Sequence, residues 1–272
     1  MNQLDAERIR QAAACDALRI DAVERVGSTN AALLDAPLGE APASPRLLAA
    51  VVQTAGRGRR GRAWLSPPDR SAAFSLAFER HVRLEPPPAA LAVAVGAASA
   101  TTLARWAPDV QLKWPNDLMR AWRKCGGILV ECRRGLPHPA SGMTLERIVV
   151  GIGLNLLAPP EGDAVGQPAC GLFDHDALSA HAAETVIGMV AGAVVAAAER
   201  FFAEGLAPFL EAWERFDALA GERVAVHEGA RAVDRGVALG LDPGGGLRVR
   251  TSAGLRVLSS GEVSLRRLDA AR

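Results

Sequence analysis

The 272 residues of the chain are enough for one large domain, or one domain with a small second one, around a full hydrophobic core. The formal net charge of +1 at pH 7 excludes a protein whose whole surface binds polyanions, so a nucleic-acid interface would need a local basic patch. Four cysteines without C-x-x-C spacing argue against a disulfide framework or a structural zinc site and are typical of a protein in a reducing compartment.

The N-terminal segment predicts a surface helix over Asn2 to Leu18, followed by a strand near Ile20 to Val26. Only 26 residues precede Gly27. A winged-helix module needs roughly twice that length, so we expect no DNA-binding module and no DNA partner.

The next stretch, Gly27–Asn30, leads into an apolar run and predicts the start of a short helix. Ser28 or Thr29 can cap this helix with a side-chain hydroxyl. Free N–H groups and the positive dipole end at a helix N-terminus also suit a polar ligand group. An ordinary cap remains the alternative, but it accounts for only one of the two hydroxyls.

The most unusual stretch is Gln53–Trp64, which follows an apolar run at Leu47–Val52. That run predicts a buried strand, and Ala72–Glu79 is expected to pair with it. The loop itself combines conformational freedom with fixed positive charge, so we expect it to bind an anion. It contains three glycines (Gly56, Gly58, Gly61) and four arginines (Arg57, Arg59, Arg60, Arg62).

Two other interpretations of this loop are weaker. The glycines match the G-x-G-x-x-G pattern, but Pro67 and Pro68 forbid the long helix that a dinucleotide-binding turn must open. A kinase-type loop would need catalytic and metal-binding motifs downstream, and they are missing. A solvated basic turn would be the simplest interpretation if the loop stood alone.

After Pro86–Pro88 the sequence predicts a helix over Ala89–Ala107 and then a strand over Val110–Trp114. Pro115 ends the strand, so Asn116 and Asp117 would be displayed in a turn at its end. An ordinary Pro-Asn-Asp turn is the alternative.

The two lysines of the chain form a second signal. Of 31 basic residues only Lys113 and Lys124 are lysine, and they lie close together in sequence. A lysine ammonium is a compact point charge, whereas arginine is a broad planar fork, so a site that holds a small oxyanion can require lysine. Chance is the alternative.

Lys124 precedes a predicted strand, Ile128–Glu131, which the chain enters through Gly126 and Gly127. Leu145–Asn155 is its predicted partner strand. Gly151 and Gly153 alternate within that partner and should leave a shallow channel on one face, which the Asn155 amide would close.

Ala177–Phe216 has helical periodicity interrupted at Gly205 and Pro208. Its longest Ala/Val segment, Thr185–Ala198, is too short for a membrane helix, so we expect a cytoplasmic protein without membrane contact. Beyond Gly221, short alternating stretches separated by turns predict a small closed barrel. These stretches are Arg223–Val226, Gly236–Leu241, Leu247–Thr251, Arg256–Leu258 and Val263–Leu265.

Together the motifs resemble the biotin protein ligase family, in the form that lacks the N-terminal repressor module. The resemblance rests on motifs in the family's order and spacing, and Cys125-Gly126 is a departure from it. The resemblance implies an α+β fold with two domains: residues 1–218, a mixed-sheet catalytic domain related to class II aminoacyl-tRNA synthetases, and residues 219–272, an SH3-like barrel. The motifs are Gly27–Asn30, Gln53–Trp64, Lys113–Leu118, Lys124 with Gly127–Glu131, and Gly151–Asn155.

The resemblance also implies roles for individual residues. Lys124, Arg59 and Asp117 would be catalytic, and Lys124 and Arg59 would also bind biotin. The remaining biotin-binding residues would be Ser28, Thr29, Asn30, Gln53, Gly56, Arg57, Gly58, Gly127 and Gly153. The nucleotide-binding residues would be Arg57, Arg60, Arg62, Trp64, Lys113, Asn116 and Asn155.

The implied substrates are biotin and ATP, the latter with Mg²⁺ but without a dedicated set of metal ligands. The implied acceptor is a biotin carboxyl carrier protein, and a homodimer is compatible with the sequence. A lipoate or octanoate ligase or transferase shares the catalytic fold and is the enzyme alternative. A nucleic-acid-binding module is the alternative of another class, but the chain has no second basic stripe to support it.

Overall fold

The computed structural model describes residues 3–39, 45–83, 90–160, 168–174, 178–179, 181–228, 231–259 and 264–267. Several predicted features reach beyond these residues: Asn2, the Pro86–Pro88 stop, Ala89, Ala177 and Val263 lie outside them.

The described residues contain five α-helices and twelve strands. The helices are α1 (Ala6–Ala13), α2 (Thr29–Asp35), α3 (Leu91–Leu103), α4 (Ala182–Glu204) and α5 (Leu210–Phe216). The strands are β1 (Arg19–Val26), β2 (Arg46–Gln53), β3 (Ser71–Val82), β4 (Val110–Lys113), β5 (Asp117–Arg120), β6 (Arg123–Arg134), β7 (Thr144–Asn155), β8 (Arg223–Glu228), β9 (Arg231–Leu241), β10 (Leu247–Thr251), β11 (Gly254–Leu258) and β12 (Ser264–Arg267).

The first seven strands form one sheet in the order β1-β2-β3-β7-β6-β5-β4. Strands β1 and β2 are parallel and the other neighbours are antiparallel, so the sheet is mixed, as predicted. The predicted pairing of β2 with β3 is confirmed, with Leu47 opposite Leu76.

The two faces of this sheet are used differently because strand side chains alternate between them. On one face, Leu47, Leu76 and Val150 join the main core together with α1, α3 and α4. The opposite face carries the short helix α2, where Leu33 packs on Leu48 in a small separate cluster. The α2 face is therefore only partly covered, which leaves room for a site.

Strands β6 and β5 each correct one prediction. Strand β6 begins at Arg123, so Gly126 and Gly127 lie inside the strand and not ahead of it. The reason is that β7 supplies continuous antiparallel pairing, and Leu154 fills the space beside Gly126, where a Cβ would lie 2.7 Å from its Cδ2. Asp117 likewise opens strand β5 and is not part of a free turn.

Helix α4 is longer than the apolar segment Thr185–Ala198, which the sequence indicated to be too short for a membrane span. It runs over 23 residues, and by length and composition alone it could cross a bilayer. Half of the apolar stretch of the helix is buried, and the helix packs against α1 and α3. Core burial of this kind is what a central helix of a globular domain also shows.

The last five strands form a second, antiparallel sheet in the order β11-β10-β9-β8-β12. It contacts the first sheet's domain through the turn between β9 and β10. The indole nitrogen of Trp114 donates a hydrogen bond to the carbonyl oxygen of Gly245 at 3.0 Å, and both residues lie at this contact.

The close packing of α1 on α4 can be tested with Gly188→Ala. Alanine favours a helix over glycine by about 1 kcal/mol, but a Cβ at Gly188 would lie 2.4 Å from the carbonyl oxygen of Ile9. Overpacking against backbone costs roughly 1 to 3 kcal/mol, so we expect urea denaturation to show a net loss of stability. The exposed Ala196→Gly on the same helix is the control and should lose only the propensity difference. A Gly188→Ala protein as stable as the parent would show that α1 does not hold this position.

Candidate active site

Two glycines of β7 form the floor of the candidate site on the α2 face of the sheet. Gly151 is paired with Ser75 and Leu129, and Gly153 with Gly127, on the neighbouring strands. A Cβ at Gly151 would lie 2.1 Å from Oδ1 of Asn30. The predicted channel is therefore present, and neighbouring side chains lie in it.

Trp64 covers the other half of the glycine floor. A Cβ at Gly153 would come within 2.3 Å of its indole ring. The indole nitrogen is buried and has no hydrogen-bond partner among the residues that the structure describes. Such a donor is satisfied when a ligand brings an acceptor to it or displaces the ring.

The N-terminus of α2 uses its two hydroxyls differently. Ser28 is the N-cap, and its Oγ accepts a hydrogen bond from the amide of Ala31 at 3.4 Å. Thr29 instead bonds to Oε1 of Gln53, through its backbone N–H at 2.8 Å and its hydroxyl at 3.0 Å. The second hydroxyl, which an ordinary cap left unexplained, thus joins the helix to the end of β2.

Ser75 extends this network into the sheet, and the sequence analysis missed it. Its fully buried Oγ lies 2.7 Å from the Thr29 hydroxyl and 2.6 Å from Oδ1 of Asn30. The Asn30 amide nitrogen donates to the carbonyl oxygen of Leu129 at 3.3 Å and to Oε2 of Glu131 at 2.8 Å. Ser75 is the one polar residue in the apolar run Ala72–Phe78, and this was the signal that could have identified it.

The other end of α2 is fixed by an arginine. The Arg147 guanidinium donates to the carbonyl oxygens of Leu33 at 3.1 Å and Pro37 at 2.7 Å and pairs with Glu79. Since the last carbonyls of a helix have no partner within it, these bonds satisfy that end and fix the direction of the helix. The polar residues at its N-terminus are thereby held over the glycine floor.

The arginine loop is a small hairpin. Gly58 N–H donates to the carbonyl of Arg62 at 2.7 Å, and Trp64 N–H donates to the carbonyl of Gly56 at 2.9 Å. A Cβ at Gly56 would lie 2.4 Å from the Trp64 carbonyl oxygen, so this close approach requires glycine. Only a 3₁₀ turn at Arg59–Gly61 forms at the tip, which agrees with the rejection of a dinucleotide-binding turn.

Three of the four loop arginines differ in how exposed they are. Arg59 is half-buried and donates a hydrogen bond to Oδ1 of Asn116 at 3.1 Å. Burial and then the repulsion of Arg60 lower the pKa of the Arg59 guanidinium, while Asp117 raises it. An arginine so placed still carries its charge at neutral pH. Arg60 and Arg62 are exposed at the loop tip.

Lys124 lies at the centre of the predicted residues. Its ammonium pairs with Asp117 and lies 5.7 Å from the centroid of the Trp64 ring, in cation–π geometry. A Cβ at Gly127 would lie 3.2 Å from its Nζ, so the glycine gives the lysine side chain its space. Asn155 follows Gly153 on the same face of β7, and its amide nitrogen donates to the Lys124 carbonyl oxygen at 3.3 Å.

The strand hairpin β4–β5 brings the second lysine nearby. Lys113 is directly opposite Asp117 in the pairing of these strands. Asn116 lies in the turn between them, and its amide nitrogen donates to the carbonyl oxygen of Ile128 at 2.8 Å. Contacts thus link Thr29 with Gln53, Arg59 with Asn116, and Lys124 with Asp117 and Trp64, while Asn30 and Trp64 lie on the glycine floor. Arg60 and Arg62 stay exposed at the loop tip, and Ser75 and Glu131 join the predicted residues.

Comparison with known proteins places this geometry in context. Residues 22–155 match the Biotin/lipoate A/B protein ligase family, and residues 220–266 match the Biotin protein ligase C terminal domain. The chain is 33% identical to the bifunctional ligase/repressor BirA of Escherichia coli over 89% of its own length and 72% of that protein. It is 31% identical to a biotin–[acetyl-CoA-carboxylase] ligase of Paracoccus denitrificans, over 80% of the chain and 88% of that protein.

Solved structures give the same result. The biotin protein ligase from Aquifex aeolicus in complex with biotin and ATP superposes with a TM-score of 0.71 at 26% identity. The match covers 93% of this chain and 100% of that one.

Gly153→Ala should displace Trp64 from the floor. We expect the amides of Gly56–Ala63 to exchange faster with deuterium in the ligand-free protein, because the added Cβ would occupy the position of the indole ring. Gly58→Ala is the matched control, since its Cβ meets nothing closer than 3.5 Å. Unchanged loop exchange in Gly153→Ala would mean that the contact between Trp64 and Gly153 does not order the loop.

Proposed function

Because the chain belongs to the biotin/lipoate A/B protein ligase family, we propose that it is the ATP-dependent enzyme that activates biotin to biotinoyl-5′-AMP and transfers it to a lysine of a carrier protein. The site residues and the identity of the carrier are part of this proposal. The hydrogen-bond network around Ser75 supports the choice of biotin.

The network of Thr29, Ser75, Asn30 and Gln53 has fewer hydroxyl protons than oxygen–oxygen contacts. Three oxygen pairs lie within hydrogen-bond distance: Thr29 with Gln53 at 3.0 Å, Ser75 with Thr29 at 2.7 Å, and Ser75 with Asn30 at 2.6 Å. Only the two hydroxyls supply protons, because carboxamide oxygens are acceptors. One oxygen pair is therefore left without a proton, and a ligand that brings N–H donors would relieve it.

Biotin carries two N–H donors on its ureido ring, whereas the dithiolane ring of lipoate and the alkyl chain of octanoate carry none. Once the Trp64 indole has moved off Gly153, Ser28, Thr29, Asn30 and Gln53 would hold the ureido ring over this glycine, with Gly127 beside it. The valeryl chain would then direct the carboxylate towards Lys124. The discriminating power of such a site arises because a ligand without donors leaves buried polar groups unpaired.

In the first step, a carboxylate oxygen of biotin attacks the α-phosphorus of ATP, the bond to the bridging oxygen breaks, and pyrophosphate leaves. Negative charge moves between the two groups, so fixed cations are the main catalytic means. Lys124 would contact the carboxyl and phosphoryl oxygens, with Asp117 orienting it and Arg59 covering the phosphate. Gly56, Arg57 and Gly58 would close over the biotinoyl group.

In the second step, the neutral amine of a carrier lysine attacks the carbonyl carbon of the mixed anhydride, AMP leaves with the bonding electrons, and the new amide nitrogen loses a proton to water. The named ligase of Paracoccus denitrificans supports a carboxylase carrier as acceptor. Arg60, Arg62, Trp64, Lys113, Asn116 and Asn155 would serve the nucleotide.

Magnesium would enter with ATP as part of the substrate. No group of three or more His, Cys, Asp or Glu side chains that could hold a metal ion occurs among the described residues. Phosphate oxygens and water would then carry most of the ion's coordination.

The test of this function is ATP-dependent labelling of a biotin carboxyl carrier protein with biotin, lipoate or octanoate as the acid. We expect incorporation with biotin alone. Labelling by lipoate or octanoate at a comparable rate would replace this proposal with the lipoyl-type alternative.

Lys124→Ala and Lys124→Arg should both form the adenylate more slowly while keeping the fold. Loss of one contact that stabilises transition-state charge costs on the order of 3 kcal/mol, about a hundredfold in rate. Pyrophosphate release measures this step, and thermal unfolding checks the fold. Turnover of Lys124→Arg at the parent rate would show that charge alone is sufficient.

Arg59→Gly should still activate biotin but release the intermediate. Without the guanidinium, the loop loses its hydrogen bond to Asn116 and its charge over the phosphate. We expect free biotinoyl-AMP to accumulate in solution in the absence of carrier, and chromatography of the filtrate measures it. A variant that retains the adenylate as the parent does would contradict the covering role of Arg59.

A further inference from the structure

The Glu131 carboxylate lies between the proposed biotin pocket and the arginine loop. Its Oε2 accepts a hydrogen bond from the Asn30 amide at 2.8 Å, and its Oε1 lies 3.6 Å from the Arg57 guanidinium. One side chain on β6 therefore contacts a residue at the N-terminus of α2 and a residue of the loop.

The inner contact is fixed in position. Asn30 is 4% exposed, and its amide group is used on both sides: Oδ1 faces the Ser75 hydroxyl, and the nitrogen donates to Leu129 and Glu131. An amide held by three partners can turn only if several buried bonds break. Asn30 thus orients the carboxylate from inside the protein.

The outer contact is much weaker. The Arg57 and Glu131 side chains are 46% and 27% exposed, and a pair of this kind contributes little and is screened by salt. It nevertheless meets a loop in which positive charges crowd together, since Arg60 and Arg62 both lower the pKa of Arg59. A fixed carboxylate reduces that repulsion and offers the loop a reversible anchor.

We propose that Glu131 is a positioning residue that holds Arg57, and with it the Gly56–Ala63 loop, next to the pocket before the substrates bind. The contact between Glu131 and the loop concerns the ligand-free chain alone, whereas its effect on biotinoyl-AMP rests on the proposed function. A pre-positioned loop loses less conformational entropy when it closes over the adenylate. Loss of the anchor should therefore raise the KM for biotin and the escape of the adenylate more than it lowers kcat.

Hydrogen–deuterium exchange of the ligand-free protein tests the anchor. We expect Gly56–Ala63 amides to exchange about two- to fivefold faster in Glu131→Gln, because glutamine can still accept from Asn30 but has no charge for Arg57. Arg57→Gln breaks the same pair from the exposed side and leaves the buried bonds intact. The double variant should exchange no faster than either single one, since both remove one interaction.

Two controls separate the anchor from a general loss of stability. Glu211→Gln, on α5, removes an exposed carboxylate elsewhere and should leave loop exchange unchanged. At about 1 M NaCl the parent should exchange as fast as the variants, because the Debye length falls to about 3 Å. Equal exchange in the parent and Glu131→Gln at low salt would overturn the proposal, as would additive effects or a difference that high salt does not reduce.

Steady-state kinetics and the rate of adenylate escape test the effect of Glu131 on the reaction. Glu131→Gln should raise the KM for biotin and the rate of adenylate escape about two- to fivefold, and it should change kcat less. An equal fall in kcat with an unchanged KM would contradict positioning. A parent protein that forms no biotinoyl-AMP would refute the proposed function, yet the exchange result would still decide whether Glu131 anchors the loop.

Discussion

The site depends on backbone that carries no side chain. At Gly151 and Gly153 the α2 face of the sheet is open, and a single Cβ at either position would overlap Asn30 or Trp64. At Gly127 the same device gives the Lys124 ammonium its space. Because a strand exposes alternate residues on one face, these glycines can be accommodated while the intervening Ile152 and Leu154 remain in the core. A floor for the site is thus obtained without loss of the main hydrophobic core.

The second constraint is electrostatic. Lys124 pairs with Asp117, Arg59 donates a hydrogen bond to Asn116, and Lys113 lies directly opposite Asp117 in the strand pairing, so the protein positions these cations before any anion arrives. Positive charges fixed by such partners need little rearrangement when negative charge develops on phosphate and carboxylate oxygens. The loop Gly56–Arg62 still concentrates four arginines in seven residues. Repulsion within that loop is offset by carboxylates supplied from β5 and β6.

Much of this organisation could be predicted from local patterns. The strands β2, β3 and β7 have clear apolar runs, and the glycine and arginine motifs are visible without coordinates. Contacts between distant segments could not be predicted. Glu131 looked like the polar end of a short strand, and only the crossing of α2 over β6 shows that it bonds to Asn30. Gly126 and Gly127 suggested a break in the strand because glycine weakens isolated strands, but pairing with β7 overrides that preference.

The most direct measurement is a crystal structure of the protein with biotinoyl-5′-AMP bound. We predict that the ureido nitrogens lie within hydrogen-bond distance of Thr29, Ser75 or Gln53, that the ring rests on Gly153, and that an acyl or phosphate oxygen contacts Lys124. An intermediate bound away from the glycine floor, or with its ureido ring facing solvent and its phosphate remote from Lys124, would contradict it.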